Sequence, residues 1–210
     1  MKSVVVALTG ASGIAYGFRT VEALTAQGHP VELIVSESAR LVIQEETGYG
    51  AKSFTRIENF KEIFPEASLR LIQVHNPKDF TASIASGSYP TLGMIITPCS
   101  MGTLGAIAAG LSQNLIHRAA DCMIKENRRL VIVPRETPLS AIHLENMLKL
   151  ARLGVRIVPA MPGFYSGIQG KLAVQDMIDF VVGKTLDQMD IAHTLYPRWV
   201  GRQTAGEFKS

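Results

Sequence analysis

Cysteine is almost absent from this chain of 210 residues: Cys99 and Cys122 are the two present, and neither belongs to a CxxC pair or a Cys/His spacing suited to a metal. A disulfide framework and a structural zinc site are thereby excluded. Charge is also scarce. Asp, Glu, Lys and Arg make up 19% of the residues, where an average soluble domain carries about 25%. With 21 basic and 18 acidic side chains, the net charge of +3 lacks the basic excess that nucleic-acid binding needs. Low charge implies instead that some surface is buried against other subunits. No apolar run approaches the roughly 18 residues of a membrane span. The opening run Val4 to Leu8 is too short for a signal-peptide core and breaks directly into Thr9-Gly10. We therefore expect a soluble, unprocessed, cytoplasmic chain with reduced thiols, which associates with neither membrane nor nucleic acid. Heptads, repeats and low-complexity tracts are missing too, which excludes coiled coils, solenoids and disorder.

What the chain does have is alternation: short β-branched runs separated by longer stretches of helical period. Strands are predicted at Ser3–Thr9, Val31–Ser36, Leu69–His75, Leu92–Pro98, Leu130–Pro134 and Arg156–Pro159. Helices are predicted at Ile14–Ala26, Glu37–Thr47, Thr103–Ala109, Asn114–Glu126, Ser140–Leu153 and Val174–Met189. This order is the signature of an α/β fold, a mostly parallel sheet covered on both faces. We read residues 1–210 as one domain with a tail from about Asp190. Leu195, Tyr196, Trp199 and Val200 make that tail apolar enough to pack on its own domain or a neighbour.

In an open parallel sheet, ligands bind beyond the carboxyl ends of the strands, and the informative residues fall in those loops. The first strand leads into Gly10-Ala11-Ser12-Gly13 and a helix, so backbone N–H groups and the Ser12 hydroxyl can face an anion at the helix's positive end. A plain helix-entry turn is the alternative. The spacing is not GxGxxG, and Val35-Ser36 rather than an acidic residue closes the second strand, which favours a mononucleotide such as FMN over a dinucleotide. The second loop is Pro98-Cys99-Ser100-Met101-Gly102-Thr103, whose hydroxyls can cap the next helix or hold a ligand. In the third, Pro134-Arg135-Glu136-Thr137-Pro138, an arginine leaving a buried strand needs an anionic partner, either Glu136 or a ligand phosphate. Arg128 and Arg129 read as solvated compensation of a helix C-terminus, with Lys125 less easily dismissed. In the fourth loop, Pro159 to Tyr165, two prolines and a glycine fix the chain and present two aromatics; Phe164 reads as core and Tyr165 carries a hydroxyl that needs a partner. His75, His117 and His143 read as structural, and no triad or metal spacing exists.

At these residues the chain resembles the UbiX-type flavin prenyltransferases. The resemblance runs through Leu8-Thr9-Gly10-Ala11-Ser12-Gly13, Ala85-Ser86-Gly87-Ser88, Pro98 to Leu104, Arg118-Ala119-Ala120-Asp121, Lys125-Glu126, Val133 to Pro138, His143 to Met147, Pro162-Gly163-Phe164-Tyr165 and Pro197-Arg198-Trp199. It implies a Rossmann-like, three-layer αβα subunit that binds FMN and assembles as a homo-oligomer, a dodecamer, whose active site is completed by neighbouring subunits. By position, the implied FMN contacts are Gly10, Ala11, Ser12, Ser36, Ser100, Met101, Gly102, Thr103 and Arg135. The implied contacts to the prenyl phosphate are Ser12, Lys125, Arg135, Glu136, Tyr165 and Lys184, where some relatives carry arginine at the last position.

The implied reaction joins a dimethylallyl group from dimethylallyl phosphate to N5 and C6 of reduced FMN without a metal, making prenylated FMN for a UbiD-type decarboxylase. In it Ser12, Lys125, Glu136 and Tyr165 are the implied catalytic residues. Trp199 could add an aromatic face for an allylic cation. Two other readings stay open from the sequence: an FMN-dependent cysteine decarboxylase of the related family, and a non-catalytic flavin carrier. Against the first, its Pro-Ala-Ser-Ala-Asn-Thr-like loop is replaced here by Pro98 to Thr103.

Overall fold

Val4, Val6 and Leu8 pack into one apolar layer while Val5 and Ala7 pack into another, and all five are fully buried. A strand buried on both sides requires a sheet covered on both faces. The computed structural model describes residues 1–164 and 172–198. Its strands are β1 (Ser3–Leu8), β2 (Val31–Val35), β3 (Ile72–His75), β4 (Thr91–Cys99), β5 (Arg129–Pro134) and β6 (Arg156–Ile157). They form one six-stranded sheet in the order β3-β2-β1-β4-β5-β6, and each neighbouring pair is parallel. The helices are α1 (Ile14–Ala26), α2 (Glu37–Thr47), α3 (Glu66–Leu69), α4 (Met101–Ala108), α5 (Leu115–Lys125), α6 (Ala141–Arg152) and α7 (Val174–Asp187). Ile14, Leu24, Ile43 and Leu186 put α1, α2 and α7 on one face, whereas Leu104, Ile116 and Leu150 put α4, α5 and α6 on the other.

This is the predicted Rossmann-like three-layer arrangement, with two local corrections. Leu69 ends a short helix instead of opening the third strand, because Pro65 and Glu66 start a helical turn ahead of it. The last strand stops at Ile157, and Pro159, which has no N–H to give the ladder, follows closely.

The chain order reverses between β1 and β4, which opens a crevice beyond their carboxyl ends. Helix α1 sits unusually close to the sheet there. A Cβ on Gly17 would lie 2.6 Å from the carbonyl oxygen of Thr97, so only glycine allows this approach. The described part of the tail folds back on the domain, burying Ile191 and Tyr196. Gly17→Ala should therefore lower stability by about 1–3 kcal/mol through forced separation of α1 from β4, read as a lower urea midpoint at unchanged slope.

Candidate active site

Thr9 pins the crevice. Its buried hydroxyl donates to the carbonyl of Pro98 at 2.9 Å and accepts from the N–H of Ser100 at 2.8 Å, tying the end of β1 to the end of β4. From that anchor Ser100 caps α4, its Oγ accepting from Thr103 N–H at 3.3 Å and donating to Thr103 Oγ1 at 3.1 Å. Ser36 caps α2 in the same way, accepting from Ala39 N–H at 3.0 Å. Three strand ends thus present hydroxyls and helix N-termini around one crevice. Gly10 is needed there because a Cβ would run into the Ser38 side chain, while a Cβ on Gly102 would meet nothing within 4 Å, leaving that side of α4 open to a flat ligand.

The N-terminus of α1 is not free for a phosphate, contrary to expectation. Gly13, in the left-handed region at φ 98°, and Ile14 direct their N–H groups to the carboxylate of Glu46, at 2.8 Å each for the shorter contacts. An internal anion already satisfies this helix end. Glu46 was missed in the sequence because it lies 33 positions from Gly13, on the exposed side of α2.

Arg135 leaves β5 into the same crevice. Its Nε donates to the carbonyl of Ser12 at 3.0 Å, and among the described residues it forms no ion pair. Glu136 is not its partner: that carboxylate accepts from the N–H of Thr137 at 3.0 Å. The outer nitrogens of the guanidinium remain for a ligand. Beside them is a small cavity of about 80 Å³, walled by Leu139, Met147, Pro159, Ala160 and Met161. Phe164 is 78% exposed, so it is not the core residue expected.

The implied residues divide by edge. Gly10, Ala11, Ser12, Ser36, Ser100, Met101, Gly102, Thr103, Arg135 and Glu136 all gather at the carboxyl ends of the strands. Lys125 does not. Leu115 N–H bonds to Pro77 O beyond β3, so α5 begins at the carboxyl edge and runs back to the opposite one, where β5 starts. The six residues of β5, about 17 Å of strand, separate the two edges. At that far edge Lys125 pairs with Glu126 beside Gly87. Arg128 there donates to the carbonyls of Tyr89 and Gly87, both at 2.6 Å, so it is more than the solvated cation expected, while Arg129 is exposed as expected and pairs with Asp190 at the surface. Lys184 is on α7, five residues before Met189, whose carbonyl accepts from Arg129 at 3.3 Å. It too lies nearer the far edge than Arg135. Tyr165 and Trp199 lie outside the described residues.

The remaining titratable groups are structural. His75 meets the Glu32 carboxylate at 2.6 Å, and Tyr89 donates to the same group at 2.7 Å. Burial pushes Glu32 up, but these hydrogen bonds outweigh it and hold the carboxyl below its usual range. Burial raises both thiols, and no cluster of three metal-ligating side chains exists among the described residues.

A family model described as Flavoprotein matches residues 1–196. The Flavin prenyltransferase UbiX of Halalkalibacterium halodurans is 51% identical over 92% of this chain and 91% of its own. The crystal structure of AnUbiX (PadA1) in complex with FMN and dimethylallyl pyrophosphate superposes with a TM-score of 0.82 at 40% identity, covering 96% of this chain and 99% of that one. A dodecameric FMN-dependent UbiX-like decarboxylase from Escherichia coli O157:H7 gives 0.81 at 42% identity, over 95% and 100% of the two chains.

Thr9→Val should strand the buried Ser100 N–H and cost about 1–3 kcal/mol in chemical denaturation, whereas Thr9→Ser should recover most of that loss.

Proposed function

We propose, from the premise that this chain belongs to the Flavoprotein family as one of its UbiX-type flavin prenyltransferases, that it transfers a dimethylallyl group from dimethylallyl phosphate to reduced FMN. The observation that carries the reading is Arg135, a cation delivered by a buried strand into the crevice with no carboxylate paired to it among the described residues. The crevice fits FMN because the side of α4 at Gly102 is open to a flat ring, Gly10 lets its loop pack against Ser38, and Ser36 and Ser100 offer hydroxyls to its phosphate. Reduced flavin, when bound, supplies the nucleophilic N5 and C6.

The chain's own residues activate the donor. An allylic phosphate departs only when its developing charge is held, and Arg135, Lys125, Lys184 and Tyr165 are the donors suited to hold it. Ser12, in the loop whose carbonyl Arg135 grips, orients the phosphate. Glu136 keeps one carboxylate oxygen on Thr137 N–H and leaves the other for the proton lost when the ring closes.

Lys125 and Arg135 would meet only between copies. Lys125 and Arg135 occupy opposite edges of one sheet, so a complete site takes its lysine from a neighbouring subunit. Ile142, Leu144 and Leu148 of α6, all more than half exposed, are apolar surface that such an assembly would cover. A dodecamer in the cytoplasm, serving a UbiD-type decarboxylase with its product, completes the reading.

Incubating the protein anaerobically with reduced FMN and dimethylallyl phosphate should yield flavin heavier by one five-carbon unit; unchanged flavin would reject the reaction. Glu136→Gln and Lys125→Ala should each keep FMN but form no product. Co-assembling Lys125→Ala with Arg135→Ala should restore a fraction of activity that neither variant has alone, since some mixed sites then hold both native cations. No recovery would place both residues in one subunit's site.

A further inference from the structure

Lys184 is a half-buried cation held without a counter-charge. Its ammonium lies 5.6 Å from the centroid of the Phe180 ring and 5.4 Å from that of Tyr196, within cation–π range of both. Among the described residues no carboxylate forms an ion pair with it. The nearest candidate, Asp187, is already committed. It accepts from Tyr196 Oη at 2.8 Å and from both outer nitrogens of Arg198 at 2.7 Å, and it faces His193 Nε2 at 3.1 Å. Burial alone would raise this carboxyl, but the hydrogen bonds from Arg198 and Tyr196 and the charge of Arg198 hold it down at about 2. The tail reaches this position only because residue 183 is glycine. A Cβ there would stand 2.5 Å from Tyr196 Cε1 and 2.6 Å from His193 Cε1.

The choice of partners matters chemically. A carboxylate would hold the ammonium firmly but cancel the charge that a phosphate has to feel. Ring faces restrain it and leave the charge largely intact. We propose that Phe180 and Tyr196 form an aromatic seat presenting Lys184 to the donor's phosphate, and that Asp187, by clamping Tyr196 and Arg198, is the positioning residue that keeps the seat assembled. This rests on the prenyl-transfer reading above. It adds that the C-terminal tail, through residues that never touch substrate, sets the affinity for the donor.

The test is a double-mutant cycle on the assembled, FMN-loaded enzyme, reading KM for dimethylallyl phosphate, kcat and FMN retention separately. Tyr196→Leu and Lys184→Met should each raise KM about tenfold and, because Lys184 also holds the charge of the departing phosphate, lower kcat as well, with FMN retention little changed. The double variant should be no worse than either single one. Tyr196→Phe, which keeps the ring, should restore most of the affinity. Asp187→Asn should raise KM in the native background and have no effect once Lys184 is Met. Should Tyr196→Leu fail to assemble, Phe180→Leu takes its place in the cycle. Additive effects, joint loss of kcat and flavin, or a Tyr196→Phe as impaired as the leucine variant would overturn the seat. So would an unchanged KM in Lys184→Met, even with native enzyme still making prenylated flavin. Failure of the native enzyme to add the five-carbon unit would instead overturn the reaction itself.

Discussion

Because every strand of the sheet runs the same way, all carboxyl ends share one edge and all amino ends share the other. The rest of the molecule is arranged around that constraint. Loops that follow strands collect Ser12, Ser36, Ser100 and Arg135 in one crevice, and loops that precede strands collect Gly87, Lys125 and Arg128 about a strand's length away. No side-chain rotation closes such a gap. A reaction that needs both groups of cations must be run by an assembly, a reading with which the sparing use of charge across the chain agrees.

Pinning the crevice takes little material. One hydroxyl, on Thr9, satisfies donor and acceptor across the β1–β4 reversal, and α2 and α4 each begin on a serine. Buried polar groups satisfied this way rigidify the site, because breaking any one strands the others. Rigidity is what electrostatic catalysis needs, since donors that must reorganise to meet developing charge lose most of their advantage.

The sequence carried the strands and most helices plainly, since β-branched runs such as Val4 to Val6 and caps such as Ser36 and Ser140 act within a few residues of what they specify. Interactions that span the chain left no such mark. Glu46 reads as one more charge on an exposed helix face, yet it caps the start of α1. Arg128 and Arg129 read as generic helix-end cations, yet one fastens the loop before β4 and the other fastens the tail. Motif resemblance could assign Lys125 and Arg135 to one reaction, but only topology shows that in one chain they stand at opposite edges of the sheet.

The two lysines are stored differently, and the difference follows from where each must go. Lys125 is paired with its sequence neighbour Glu126 on an exposed edge, a contact that water screens and that docking of another subunit can rearrange cheaply. Lys184 is restrained by rings on a helix flank, where no charge has to be displaced before an anion can approach. On the proposed reaction, an enzyme that needs both lysines gains from having one cation that is released by assembly and another that is ready beforehand. The first makes the site conditional on the oligomer, and the second keeps the finished site from neutralising itself while it waits for its phosphate.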